Sequence, residues 1–180
     1  MQRILLTFIA SFILFGSLIT AQPTSNQTPL VVEFGYGNSV YDNIKSRQFL
    51  IFTDIPHTRG VWKNLQYKAQ LNFEFITENE NNTYLIGIVP ILKYSFSLSE
   101  LNLFIKGGLG ANYVTRNIIG SRKIGGHFIF SDMISIGVNL YKSKRHTIDI
   151  SYLFRHVSNA RLYSSNEGFN SQYILFSFSI

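Results

Sequence analysis

Near its C-terminal end the chain reads Phe154-Arg155-His156-Val157-Ser158-Asn159-Ala160. Two residues apart on an extended backbone, His156 and Ser158 point to the same face, roughly 7 Å apart at the root and able to converge at their tips. That sets a general base beside a hydroxyl, the pairing with which serine esterases attack an acyl carbonyl. The same spacing is also common strand-end polarity, so it does not identify chemistry by itself. The remaining candidates are weaker. There is no Cys, which excludes a thiol nucleophile and a cysteine zinc site. His57 lies in a Pro56-His57-Thr58-Arg59-Gly60 loop, His146 in a basic turn, and His127 shares parity with Ile129 and Ser131, which predicts an inward side chain. Glu78 and Glu80 read as a solvated turn rather than a cation site. Gly107-Gly108-Leu109-Gly110 is followed by no helix, so close strand packing explains it better than a phosphate loop.

The elements that must carry such a pair are strands. From Leu65 to Phe75 the odd positions are Leu, Tyr, Ala, Leu, Phe and Phe, and the even ones Gln, Lys, Gln, Asn and Glu. Period two recurs in Leu101, Leu103, Ile105, Leu109, Ala111 and Tyr113 against Asn102, Lys106 and Asn112. It appears again in Ile148, Ile150, Tyr152 and Phe154 against Thr147, Asp149, Ser151 and Arg155. These stretches run to about 9–13 residues, which suits a tilted bilayer crossing better than the usual soluble strand of about 5–6. Eight strands are predicted: 30–38, 64–76, 83–96, 100–114, 122–131, 133–142, 146–159 and 170–180. Segment 47–53 is assigned to one long first loop, because an even count is the rule for single-chain bacterial barrels. Ser131-Asp132 is read as a turn, and the 77–82 turn as periplasmic.

Composition agrees with this reading. Of 180 residues, 46% are hydrophobic, 15% aromatic and only 14% charged, which excludes disorder and leaves one domain. The net charge is +6, one unit of it from Arg3, and the bases are scattered, so nucleic acid is not an expected partner. Residues 1–21 read as a signal peptide: Arg3, an apolar run from Ile4 to Thr20, then the small Ala21 before a polar stretch. Residues 22–180 form a single barrel domain. Its polar face carries Glu33, Glu74 and Asp149 beside Lys68, Lys93, Lys106 and Arg155. In a narrow eight-stranded barrel such charges must pair inside, which turns the apolar face outward to lipid. The fold expected is an all-β, eight-stranded antiparallel transmembrane β-barrel, with His156 and Ser158 on its lipid side.

The run His156-Val157-Ser158-Asn159-Ala160, followed by Asn166-Glu167-Gly168 and a closing strand, resembles the PagL-type lipid A 3-O-deacylases, the acyloxyacyl hydrolase-like family of eight-stranded outer-membrane barrels. Weaker similarity extends through Ile86-Gly87-Ile88-Val89-Pro90, Gly107-Gly108-Leu109-Gly110 and Ile136-Gly137-Val138. The resemblance implies a serine esterase of the bacterial outer membrane that removes the ester-linked 3-position acyl chain of lipid A. It implies Ser158 as nucleophile and His156 as base, with Asn159 and Ala160 shaping the oxyanion site. It requires no metal or cofactor, and its partners are lipopolysaccharide and outer-membrane lipid, with a homodimer compatible. Arg161 is the candidate for lipid A phosphates, since Arg155 points inward by parity.

One position departs from the family pattern. The acid expected two residues after Gly168 is Asn170 here. A hairpin loop centred near 163–164 pairs residues whose numbers sum to about 326–328, which sets Asn170 opposite His156 or Ser158. An Asn can orient an imidazole but cannot offset the charge of an imidazolium. Asn170 therefore completes the triad, or Glu167 does, or activity is weakened or lost. Two readings from other classes stand beside the esterase: a non-enzymatic OmpX-like barrel, and a different lipid-modifying barrel such as an acyltransferase.

Overall fold

The computed structural model describes residues 30–41, 44, 46–62, 64–78, 81–143 and 146–179, with backbone alone over 56–62. The segment read as a signal peptide lies outside the described residues. The described residues form ten strands: β1 (Val31–Ser39), β2 (Ser46–Trp62), β3 (Leu65–Glu78), β4 (Asn81–Leu98), β5 (Leu101–Val114), β6 (Ile118–Ile119), β7 (Arg122–Lys123), β8 (Phe128–Lys142), β9 (Thr147–Ser158) and β10 (Phe169–Ser179). Eight close an antiparallel barrel in the order β1-β10-β9-β8-β5-β4-β3-β2, while β6 and β7 form a small separate hairpin.

The count of eight is as expected, but two boundaries differ. Segment 47–53 is not loop: it belongs to β2, paired with β1 and β3. Its alternation is hidden because Leu50 and Phe52 face inward while Phe49 and Ile51 face outward, so both faces are apolar. Conversely, 122–131 and 133–142 are not two strands. β8 runs unbroken through Ser131-Asp132, with Ser131 buried and Asp132 exposed. One strand missed and one divided cancel, so β9 remains the seventh barrel strand. The missed strand does invert the β3–β4 turn, which lies at the end of the barrel opposite the described chain ends rather than beside them.

Parity on the long strands holds. Gln70, Asn72 and Glu74 are buried between exposed Leu71 and Phe73, and Asp149, Ser151 and Arg155 are buried while Ile150 and Tyr152 are exposed. Inside, the charges pair: Lys68–Asp54 at 2.6 Å, Lys93–Asp149 at 2.9 Å, Arg155–Glu74 at 2.5 Å, and Lys106–Glu33. Asp54, on the strand absent from the sequence reading, supplies the fourth anion. The apolar side chains of the lumen form layers among these pairs: along β9, Leu153 lies between the paired Asp149 and Arg155, and Val157 lies beyond Arg155. Phe52, Met133 and Leu153 belong to one buried cluster, and Ile76, Ile124, Val157 and Phe169 to a second. Ile119 and Ile124, from the connection between β5 and β8, lie in that second cluster and so bring the connection over the mouth of the barrel.

Candidate active site

Two inward neighbours hold His156 in place. On one side Arg155 is fully buried, donating to Glu74 Oε2 at 2.5 Å and to Asn112 Oδ1 at 2.8 Å. Tyr173 then links Glu74 to Gln48, accepted by Gln48 Oε1 at 2.6 Å. On the other side Val157 sits in the apolar cluster at the mouth, in register with Phe169. Because side chains alternate along a strand, pinning Arg155 and Val157 inside fixes His156 and Ser158 on the outer wall. Both are half-buried there.

Asn170 stands directly opposite His156 on β10, at the sum of 326 that the hairpin arithmetic allows, and its Oδ1 lies 2.5 Å from His156 Nδ1. Accepting a hydrogen bond, this oxygen fixes the tautomer with the proton on Nδ1 and leaves Nε2 as the basic nitrogen. Gly168 makes room for the ring. Its φ is +64°, and a Cβ there would come within 2.5 Å of His156 Cε1. No hydrogen bond joins His156 to Ser158 among the described residues; the two share a face at adjacent outward positions of β9.

Glu167 is held elsewhere. Its carboxylate accepts the Lys123 N–H at 2.7 Å, its own N–H donates to Lys123 O, and Arg122 donates to the carbonyls of Glu167 and Gly168. These contacts tie the β6–β7 hairpin to the loop above the site rather than to the imidazole. Asn159 is fully buried, its Nδ2 donating to Ile124 O and to Ser165 O at 2.6 Å, and its backbone N–H donating to Asn166 Oδ1 at 2.9 Å. In this arrangement it knots the loop and offers no free N–H to a substrate. Ala160 and Arg161 follow in left-handed conformation, φ 50° and 66°. Their backbone N–H groups meet no acceptor among the described residues. The Arg161 side chain is exposed.

One residue of this wall went unread in the sequence. Asp132 faces outward from β8 in register with His156, and reading Ser131-Asp132 as a turn concealed it. His127 also differs from expectation. It precedes β8, where strand parity does not apply, and lies exposed, stacked on Tyr113 with Nδ1 2.8 Å from Val114 O. Among the described residues no cluster of His, Asp and Glu has metal-binding geometry.

The family model for lipid A 3-O-deacylase (PagL) matches residues 48–179. The chain belongs to this family. Its fold agrees with the crystal structure of the outer membrane enzyme PagL, at TM-score 0.65 and 16% identity over 82% of this chain and 97% of that one. Neisserial surface protein A superposes less well, at TM-score 0.53 and 11% identity over 84% and 93%. No curated protein matches the chain. The molecule is thus a PagL-family outer-membrane barrel whose His156 and Ser158 stand on its outward wall.

Proposed function

We infer that the protein is a serine esterase that removes the 3-position acyl chain of lipid A. The observation that carries this reading is the row formed by His156 and Asn170 on the lipid-facing wall, with Ser158 at the next outward position of β9. A polar pair on a lipid face is expensive away from the interface, which makes it a candidate for function.

Ser158 Oγ attacks the ester carbonyl carbon while His156 Nε2 takes its proton. The alkoxide leaving group of the sugar receives that proton, leaving an acyl-enzyme, and water activated by the same imidazole then releases the fatty acid. The N–H groups of Ala160 and Arg161, directly after Asn159, are the proposed donors to the oxyanion, a role that preorganised backbone amides fill well. Asn170 orients the ring, and Arg161 meets a lipid A phosphate. If the barrel end that carries Val31 and Ser179 faces the periplasm, β9 runs outward and the pair lies at the level of the outer leaflet, where lipid A resides.

Mass spectrometry of lipid A from cells with and without the protein is the test. Loss of one hydroxyacyl chain supports the deacylase, gain of a chain an acyltransferase, and an unchanged spectrum a non-enzymatic barrel. Ser158→Ala is expected to keep heat-modifiable folding and abolish the loss; a variant retaining most activity removes Ser158 as nucleophile.

A further inference from the structure

Four of the acids among the described residues are consumed in lumenal ion pairs: Glu33, Asp54, Glu74 and Asp149. Glu78, Glu100 and Glu167 lie at strand ends, in turns or in loops. Asp132 is different, for it projects outward from the body of β8, is exposed, and belongs to none of those ion pairs. The ladders place it in one row across three strands: Asp132 on β8, His156 on β9, Asn170 on β10. Directly opposed residues have Cβ atoms roughly 4.5–5.5 Å apart.

We propose that Asp132 supplies the negative charge that Asn170 cannot, holding the imidazolium of His156 from the strand on its other side. The inference rests on the esterase reading above. When Ser158 yields its proton to Nε2, His156 becomes a cation whose Nδ1–H is held by a neutral carboxamide. An ionised carboxylate on the opposite flank stabilises that cation by Coulomb attraction, more strongly beside lipid than in water. No proton passes to Asp132 in this step. The division of labour is that Asn170 sets the ring's tautomer and Asp132 its charge balance. Asp132 is therefore a positioning residue, acting through His156.

The surroundings leave few competitors. β10 presents the carboxamides of Asn170 and Gln172. On β9, Ser158 is outward and Arg155 is turned into the lumen against Glu74. From the loops above come Arg122, whose Nε lies 2.5 Å from Gly168 O, and Glu167, whose carboxylate is engaged by the Lys123 N–H.

The test moves the charge across the row in the full-length protein folded in detergent micelles. Asp132→Asn should lower by about tenfold both the deacylation of lipid A and the rate at which a fluorophosphonate labels Ser158, a reaction that uses His156 but needs no lipid A. Asn170→Glu in the same background should restore both, because the carboxylate returns on the other flank. Asp132→Glu, which keeps the charge, should stay close to the parent and guard against a folding artefact. Unchanged rates in Asp132→Asn overturn the proposal, and so does a loss that Asn170→Glu fails to repair, which would mean that Asp132 meets the substrate itself. If the parent shows no deacylation, the esterase reading fails, and the fluorophosphonate labelling of Ser158 still decides whether Asp132 acts through the ring.

Discussion

At the residue scale the central contact is the 2.5 Å approach of Asn170 Oδ1 to His156 Nδ1. A hydrogen bond of this kind sets which nitrogen is basic and which way the ring faces, and loss of the correct tautomer in a serine-histidine pair costs about four orders of magnitude where measured. Asn170→Ala is therefore expected to lower deacylation by about a hundredfold or more while heat-modifiable folding persists. Glu167→Gln should cost only a few-fold, because its carboxylate receives the Lys123 N–H and that contact is exposed. Parallel assays of the two variants on the same lipid A preparation check this. A crippled Glu167→Gln beside a silent Asn170→Ala reverses the assignment.

At the scale of the strand, β9 is secured by the lumenal group around Arg155 rather than by its outward face. Glu74→Gln strips that buried guanidinium of its counter-charge, and breaking one partner of a buried pair costs about 3–5 kcal/mol. The expected readout is a marked fall in the temperature at which the folded band is lost on a gel. Replacing both Glu74 and Arg155 with apolar residues of similar volume should recover most of the fall. Much of this was legible in the sequence, since strict alternation on β3, β5 and β9 betrays which side chains meet inside. What escaped was physical in origin. β2 is apolar on both faces, so period two carries no signal there, and Asp54, the partner of Lys68, was hidden with it. Ser131-Asp132 has turn-like composition, yet the pleat sends one inward and the other outward, and only the ladder places Asp132 beside His156. Asn170 could be placed because a short hairpin loop fixes register by arithmetic.

For the molecule as a whole, the sides of the wall have separate tasks. Recognition and chemistry are assigned to the outside, and the inside is occupied by four ion pairs and two apolar clusters. An eight-stranded barrel is just wide enough for its side chains to fill, and the cluster containing Ile119, Ile124 and Phe169 stops the mouth. The purified protein is accordingly expected to insert into planar bilayers without stepwise conductance, and discrete openings in electrical recordings would contradict a filled lumen. The consequence reaches the cell's economy of leakage. A porous enzyme would raise the leakage of small solutes with every added copy, which would set a ceiling on its expression. A sealed barrel lifts that ceiling, so its abundance can follow the demand for surface remodelling without trading away the permeability barrier it works upon.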